Sequence, residues 1–235
     1  LPQPFFAFKQ FKILHDRCAM KVNTDGCLLG AWASAANPTF ILDIGAGTGL
    51  IGLMLAQRYP NALVDLVEIE PHCAEQCAEN VQHSPFAKRV FVHKVAIQQF
   101  KTDKRYDLIV SNPPYFENAM LSANEKRKLA RHHTTLTLEE LVVHANQMLS
   151  ATGTFCVIIP QNRKDELVAK AAKNGLQTHK LVAIRSLPNK PISRYLVAFT
   201  KPDLGCLEAE ITLEVEAGTY SEIAKKWLAP FYLHL

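Results

Sequence analysis

The sequence lacks any apolar run near the roughly 18 residues that a membrane-spanning helix needs, so no helical span is read. Its start, Leu1 to Phe11, holds aromatics and prolines but no basic stretch followed by an apolar one, so no secretory leader is read either. The first residue is Leu1 rather than Met, which suggests a trimmed start. None of the six cysteines forms a C-x-x-C pair, and Cys156 lies inside an apolar run, which argues against a disulfide framework. Cys73 and Cys77 stand near His72 and His83, but Ala74, Cys77, Ala78 and Val81 mark the apolar stripe of a helix, which favours buried thiols over a metal site. There is no internal repeat and no low-complexity linker. Nor is there a dominant charge: the net +4 permits a polyanionic partner without demanding one. What these absences leave is a cytoplasmic globule, and 235 residues at 48% apolar and 20% charged suit one sizeable domain.

What is present is a regular alternation. An amino-terminal extension over residues 1–38 contains a turn feeding a helix, which Thr24 or Asp25 can cap, before Asn37-Pro38 breaks the chain. From residue 39 strand patterns occupy Thr39–Ile44, Leu63–Glu68, Arg89–His93, Tyr106–Ser111 and Thr154–Ile159. Helical patterns separate them at Leu50–Arg58, Pro71–Gln82, Leu138–Leu149 and Asp165–Lys173. Their ends are marked by Tyr59-Pro60, by Glu70 ahead of Pro71, by the capping box Thr137 to Glu140, and by Asn174-Gly175. The alternation predicts an α/β fold, a parallel sheet with right-handed crossovers and helices on both faces. Thr178–Arg185 and Tyr195–Thr200, joined without a helical pattern, predict an antiparallel hairpin added to that sheet. A strand near Ile211–Val215 and a helix near Ser221–Leu228 are expected on its edge, within a single domain over residues 1–235.

Two loops carry the chemistry. Asp43-Ile-Gly45-Ala-Gly47-Thr-Gly49 joins the first sheet strand to its helix, where glycines let the backbone approach a ligand and the helix end offers free N–H groups. Gly47, Gly49 and Gly52 also match G-x-G-x-x-G, but that register puts Gly52 inside the helix and so argues against a dinucleotide. A carboxylate at Asp43 repels a pyrophosphate and suits a ligand bearing an ammonium, such as the methionine end of S-adenosylmethionine. Glu68, ending the second strand, is placed for two ribose hydroxyls. The other loop is Asn112-Pro113-Pro114-Tyr115, a stiff extended lip just past a buried strand. Its amide, proline carbonyl and ring suit a planar group carrying an amine.

In this order, the glycine loop, Glu68 and Asn112-Pro-Pro-Tyr115 resemble the class I S-adenosylmethionine-dependent amino-methyltransferases. Phe8-Lys-Gln-Phe11 and Met20-Lys-Val-Asn-Thr-Asp-Gly-Cys-Leu-Leu-Gly-Ala-Trp32 narrow this to a resemblance to the bacterial tRNA1(Val) adenine-N6 methyltransferases, which modify the adenosine 3′ of the anticodon. The resemblance implies a Rossmann-like, seven-stranded, mostly parallel sheet with an antiparallel last strand. It implies S-adenosyl-L-methionine as cofactor, held by Asp43, Gly45, Gly47, Gly49, Glu68, Ile69, Ala96, Ile97, Lys21 and Thr24. It implies catalysis by Asn112, Pro113, Pro114 and Tyr115, and a partner tRNA engaged at its anticodon region by a monomer or weak homodimer. One departure stands out: where such enzymes carry an acid for the cofactor's adenine amine, this chain has Ala96. A lost hydrogen bond of that kind costs about 0.5–1.5 kcal/mol, which weakens binding without abolishing it.

The segment after Tyr115 carries Lys126, Arg127, Lys128 and Arg131, with His132 and His133. Beside the lip, where a large substrate must enter, these cations are candidates for RNA phosphates. Lys190 and Arg194 follow, with Lys9 and Lys12 as weaker candidates. The same lip suits a protein glutamine amide, or a DNA, ribosomal RNA or guanine amine, although 38 residues before the first strand leave little room for the helical domain of glutamine methyltransferases. A non-catalytic RNA-binding protein of the same fold is the alternative that Ala96 raises.

Overall fold

A strand covered on both faces reads as an unbroken apolar run, and the middle strands here are of that kind. The computed structural model of the chain describes residues 4–114 and 136–235. Five parallel strands, β3 (Phe40–Ile44), β4 (Leu63–Glu68), β5 (Val90–Lys94), β6 (Tyr106–Ser111) and β7 (Leu149–Pro160), lie in the order β5-β4-β3-β6-β7. The expected hairpin forms from β8 (Gln177–Arg185) and β9 (Ile192–Thr200), and β9 enters antiparallel beside β7 with β8 outside it. The edge is then extended by β10 (Leu207–Thr212), parallel to β8, so the sheet has eight strands rather than seven. This is the edge strand expected near Ile211–Val215, with its start moved back to Leu207, since in β10 only Ile211 is buried and the residues before it give no apolar run to read.

Helices cover the two faces unequally. On one lie α1 (Thr24–Trp32), α2 (Leu50–Arg58) and α3 (Pro71–Gln82), packed through Leu28, Leu53, Met54 and Cys77. On the other lie α4 (Leu138–Met148) and α5 (Lys164–Lys173), packed through Leu141, Val142, Leu167 and Ala171. The last helix, α6 (Glu222–Leu228), joins the first face through Leu228. Two short antiparallel pairs complete the fold, β1 (Phe5–Ala7) with β2 (Lys12–Leu14) and β11 (Glu214–Glu216) with β12 (Thr219–Tyr220). The caps at Glu70 and Thr137 form as the sequence indicates, the latter as a full capping box. Among the described residues no helix is long and apolar enough to cross a membrane.

Two expectations need correction. The cap of α1 is Asn23, whose Oδ1 accepts from Gly26 N at 2.8 Å, rather than Thr24 or Asp25. On α3 Ala78 is exposed, while the buried face takes in Gln76 and Asn80 instead. These amides are buried because the amino-terminal hairpin satisfies them. Asn80 accepts from Leu14 N at 2.8 Å and donates to Leu14 O at 3.0 Å, while Gln76 accepts from Arg17 N at 3.1 Å and donates to Asp16 at 2.5 Å. Hydropathy cannot register a polar side chain that is buried with its partners.

One buried charge ties three strands together away from the loops. Asp65 of β4 is wholly buried, with Lys104 Nζ at 2.6 Å, Tyr106 Oη at 2.9 Å and His93 Nε2 at 2.8 Å. Burial pushes its pKa up, but the bonds from Lys104, His93 and Tyr106 outweigh that and hold it below the ordinary carboxylate value. Since the folded pKa lies below the unfolded value of about 3.9, the stabilisation is complete above that pH and is lost as pH falls through the folded value. Tyr106→Phe removes one donor to a buried charge and is expected to cost about 1.5–3 kcal/mol at neutral pH. Urea titrations of both proteins at falling pH should show the difference shrink once Asp65 protonates.

Candidate active site

The carboxyl ends of β3, β4 and β6 form the site. After Ile44 the backbone turns at once: Gly45 N and Ala46 N both donate to Val67 O of β4, at 2.9 and 3.1 Å. The turn needs the left-handed region, with φ of +74° at Gly45 and +55° at Gly47, and a Cβ at either residue would meet nothing within 4 Å. Those two positions therefore face open space, as a ligand-cradling backbone must. Gly52 lies inside α2, as the register argument requires. There a Cβ would fall 2.1 Å from Leu66 Cδ2, so any other residue would have to displace this buried side chain of β4.

Asp43 is fully buried behind this loop. Its Oδ2 accepts from Gly52 N at 3.0 Å, while Oδ1 has no hydrogen-bond partner among the described residues. Burial, against the Gly52 bond and with help from the charge of Glu68, raises its pKa to about 7. An orphaned buried oxygen of this kind fits a cationic donor carried in by a ligand, met directly or through a water. Glu68 also belongs to the loop: Oε2 accepts from Gly47 N at 2.7 Å and Oε1 from Glu70 N at 2.8 Å. Each oxygen keeps a second lone pair for a ribose hydroxyl. Beside it Ile69 is a large apolar side chain left 38% exposed at the strand end, a surface for a ring to rest on.

Across the cleft, Ser111 ends β6 and is wholly buried. Its Oγ donates to Ile44 O at 2.8 Å, which fastens the start of the lip to the start of the glycine loop. Asn112 follows half-buried, its amide nitrogen turned towards Met20 Sδ at 3.8 Å, and Pro113 is buried while Pro114 is exposed. Tyr115 lies outside the described residues, as do Lys126, Arg127, Lys128, Arg131, His132 and His133. The Met20 contact brings the segment before α1 to the lip, and Lys21 and Thr24 are exposed there.

The remaining candidates divide. Ala96 precedes a single 3₁₀ turn (Ile97–Gln99), and its carbonyl is committed to Gln99 N and Phe100 N at 2.9 and 3.0 Å. The Ile97 side chain is buried in the core beneath α4, so only its backbone can serve a ligand. Arg194 is ion-paired to Asp25 at 2.8 Å, whereas Lys190 is exposed. Lys9 donates to Ala229 O at 2.6 Å and Lys12 lies over the Phe5 ring, so both are turned towards their own fold. Two contributors escape sequence reading. Ser111 reads as the end of an apolar run, and Asn80, which also donates to Thr48 O of the glycine loop at 2.9 Å, reads as a surface helix residue. Among the described residues no group of three His, Cys, Asp or Glu side chains could hold a metal ion.

Residues 27–184 match the family described as Methyltransferase small domain. Among curated proteins, tRNA1(Val) (adenine(37)-N6)-methyltransferase of Bacteroides thetaiotaomicron is 41% identical over the whole of both chains. The protein of that name from Photorhabdus laumondii is 41% identical over 97% of this chain and 95% of its own. Among solved structures, one described as a predicted O-methyltransferase from Agrobacterium tumefaciens superposes with a TM-score of 0.69 at 20% identity, covering 88% of this chain and 96% of its own. The glycopeptide N-methyltransferase MtfA complexed with S-adenosyl-L-methionine superposes at 0.54 and 12% identity, covering 77% of this chain and all of its own. These two show the fold alone.

Asp43 supplies a test of the ammonium fit. With its pKa raised to about 7, it binds a proton in the free fold that an incoming cation displaces. The sign follows: the group favours the fold at low pH and ceases to as pH rises through 7, while ligand binding below pH 7 releases a proton. Calorimetry with S-adenosylmethionine about one pH unit below that value, in buffers of different ionisation enthalpy, should give proton release of several tenths of an equivalent. It should vanish in Asp43→Asn; equal heats in all buffers would show that Asp43 does not sense the ligand.

Proposed function

This chain belongs to the Methyltransferase small domain family and, within it, to the tRNA1(Val) (adenine(37)-N6)-methyltransferases, and we propose on that premise that it transfers a methyl group from S-adenosylmethionine to the exocyclic amine of adenine 37 in tRNA1(Val). The observation that carries the reading is the Ser111 bond to Ile44, which joins an amine-accepting lip to a glycine-lined cradle across one strand pair. The same reading puts the working enzyme in the cytoplasm, as one domain acting as a monomer or weak homodimer at the anticodon region.

S-adenosylmethionine, when bound, supplies an electrophilic methyl on a sulfonium. Asp43, the backbone of Gly45, Gly47 and Gly49, Glu68, Ile69, and the backbone at Ala96 and Ile97 would hold it, with Lys21 and Thr24 at the rim. The chain's own task is to prepare the nucleophile. An aromatic amine is poor because its lone pair is delocalised into the ring. The Asn112 Oδ1 and the Pro113 carbonyl accept its two hydrogens and draw the nitrogen towards tetrahedral geometry. No strong base is needed, because the methylated amine is acidic and loses its proton late. Such positioning supplies up to several kcal/mol. Tyr115 stacks on the flipped base, worth about 1–3 kcal/mol, and Lys126, Arg127, Lys128, Arg131 and Lys190 meet phosphates along the strand. Methylation of a protein glutamine is disfavoured by the likeness to relatives named for a tRNA substrate, since the lip alone suits either amine.

The test is incubation of the full chain with tRNA1(Val) lacking the modification and labelled S-adenosylmethionine, followed by nucleoside mass analysis. N6-methyladenosine at position 37 is expected, and label in another nucleoside would overturn the assignment. Asn112→Ala should lower turnover by about a thousandfold or more, the several kcal/mol of lost positioning. Cofactor affinity should stay within a few-fold. Near-normal turnover in that variant would remove Asn112 from the mechanism.

A further inference from the structure

A cleft of about 550 Å³ lies on the same edge of the sheet as the glycine loop and the lip, and the chemistry above makes no use of it. It opens where β7 ends and β9 begins, and its polar wall is made by Gln161, Asn162, Lys164, Ser193, Arg194 and Tyr195. Strand register fixes its relation to the lip. Ser111 of β6 pairs with Val157 of the adjacent β7, which runs on to Pro160, so the cleft begins one strand over and about 10 Å further out. The turn before α1 and the first turn of that helix link the two places, with Met20 at Asn112 and Asp25 at Arg194.

The wall is preorganised for a polar, anionic and partly flat ligand. Lys164 Nζ stands over the Tyr195 ring at 5.4 Å from its centroid, and Tyr195 in turn packs on the core beneath α5, so the ammonium is held at the cleft and not splayed into solvent. Its carboxylate partner, Asp165 at 2.6 Å, has a side chain 90% exposed against 25% for Lys164. A solvated counterion of that kind contributes little and yields readily to an incoming anion. Arg194 is fixed from two sides, by Asp25 at 2.8 Å and by the Ser193 carbonyl at 2.9 Å. Asp25 and Asp165 offset much of the local positive charge, which favours a single phosphodiester with hydrogen-bonding neighbours over a broad polyanion surface. Gln161 and Asn162 add amides, which both donate and accept, as the edges of a nucleobase or ribose require.

We propose that this cleft binds a nucleotide of the RNA strand adjoining the target base, its phosphodiester against Lys164 and its base or ribose edge against Gln161 and Asn162. The site rests on the tRNA reading above and extends it. Extruding a base costs a few kcal/mol, and a grip on its neighbour offsets that cost.

The experiment measures the full chain against an unmodified tRNA1(Val) transcript, by steady-state kinetics and by binding across a salt series. Lys164→Ala is expected to raise the KM for tRNA about five- to tenfold, with the loss carried by KM rather than kcat. It should also reduce the slope of log Kd against log salt by about 1, the signature of one phosphate contact removed. Lys164→Arg should restore the slope. A wild-type slope and KM in Lys164→Ala would overturn the site. So would a loss that Lys164→Arg does not repair, or one accompanied by weaker S-adenosylmethionine binding or a lower melting temperature, since that marks a structural role. If the unaltered chain binds the transcript but never methylates it, the reaction assignment fails, while the salt slopes still decide the cleft.

Discussion

The structure depends on a hydrogen bond of 2.8 Å between Ser111 Oγ and Ile44 O, set where two neighbouring parallel strands end. Transfer between two bound groups demands that the donor cradle and the acceptor lip keep a fixed separation, and separate loops drift. Ending both on adjacent strands of one sheet makes the separation a property of the β3–β6 register, and Ser111 carries that register one residue past the last ladder pair. Because both groups are buried, losing the bond takes away a donor from the Ile44 carbonyl, a cost of about 1–3 kcal/mol borne where the glycine loop meets the lip. The two prolines that follow then transmit the fixed position outward without a soft torsion at φ.

The amino-terminal hairpin extends the same economy to the other side of the loop. Asn80 bonds both backbone groups of Leu14 and the carbonyl of Thr48, so one side chain docks the hairpin and steadies the glycine turn. From that anchor the chain passes through Met20 to the cap of α1. It reaches the Asn112 amide on the way, and finishes at Asp25 and Arg194. A segment without regular strand or helix between Leu14 and Thr24 thereby becomes a positioned wall beside the lip.

Much of this was legible in the residues, for stated reasons. Strands covered on both faces are continuous apolar runs, so β3, β4 and β6 stand out, and the caps at Glu70 and Thr137 announce themselves by residue type and spacing. The loops could be read because glycine and proline act locally. What could not be read acts over distance. Ser111 meets a carbonyl 67 positions away and Asn80 meets one 32 positions away, and neither separation leaves a period or a spacing. The buried face of α3 was misread at Ala78 for the related reason that Gln76 and Asn80 are interior only because another segment satisfies them. The edge strand expected near Ile211–Val215 is β10, but it starts earlier, at Leu207, because the exposed residues before Ile211 have no hydrophobic signature.

The seam between the first and last segments has a consequence for biogenesis. Phe8 bridges to Tyr232, Lys9 N donates to Phe231 O, and Phe6 and Phe8 pack on the Tyr232 ring. Lys9 and Ala229 stand 220 positions apart, so during synthesis residues 6–9 wait for residues 229–232 before this seam can close. The sheet strands between these two segments have no part in the seam and can pair before it closes.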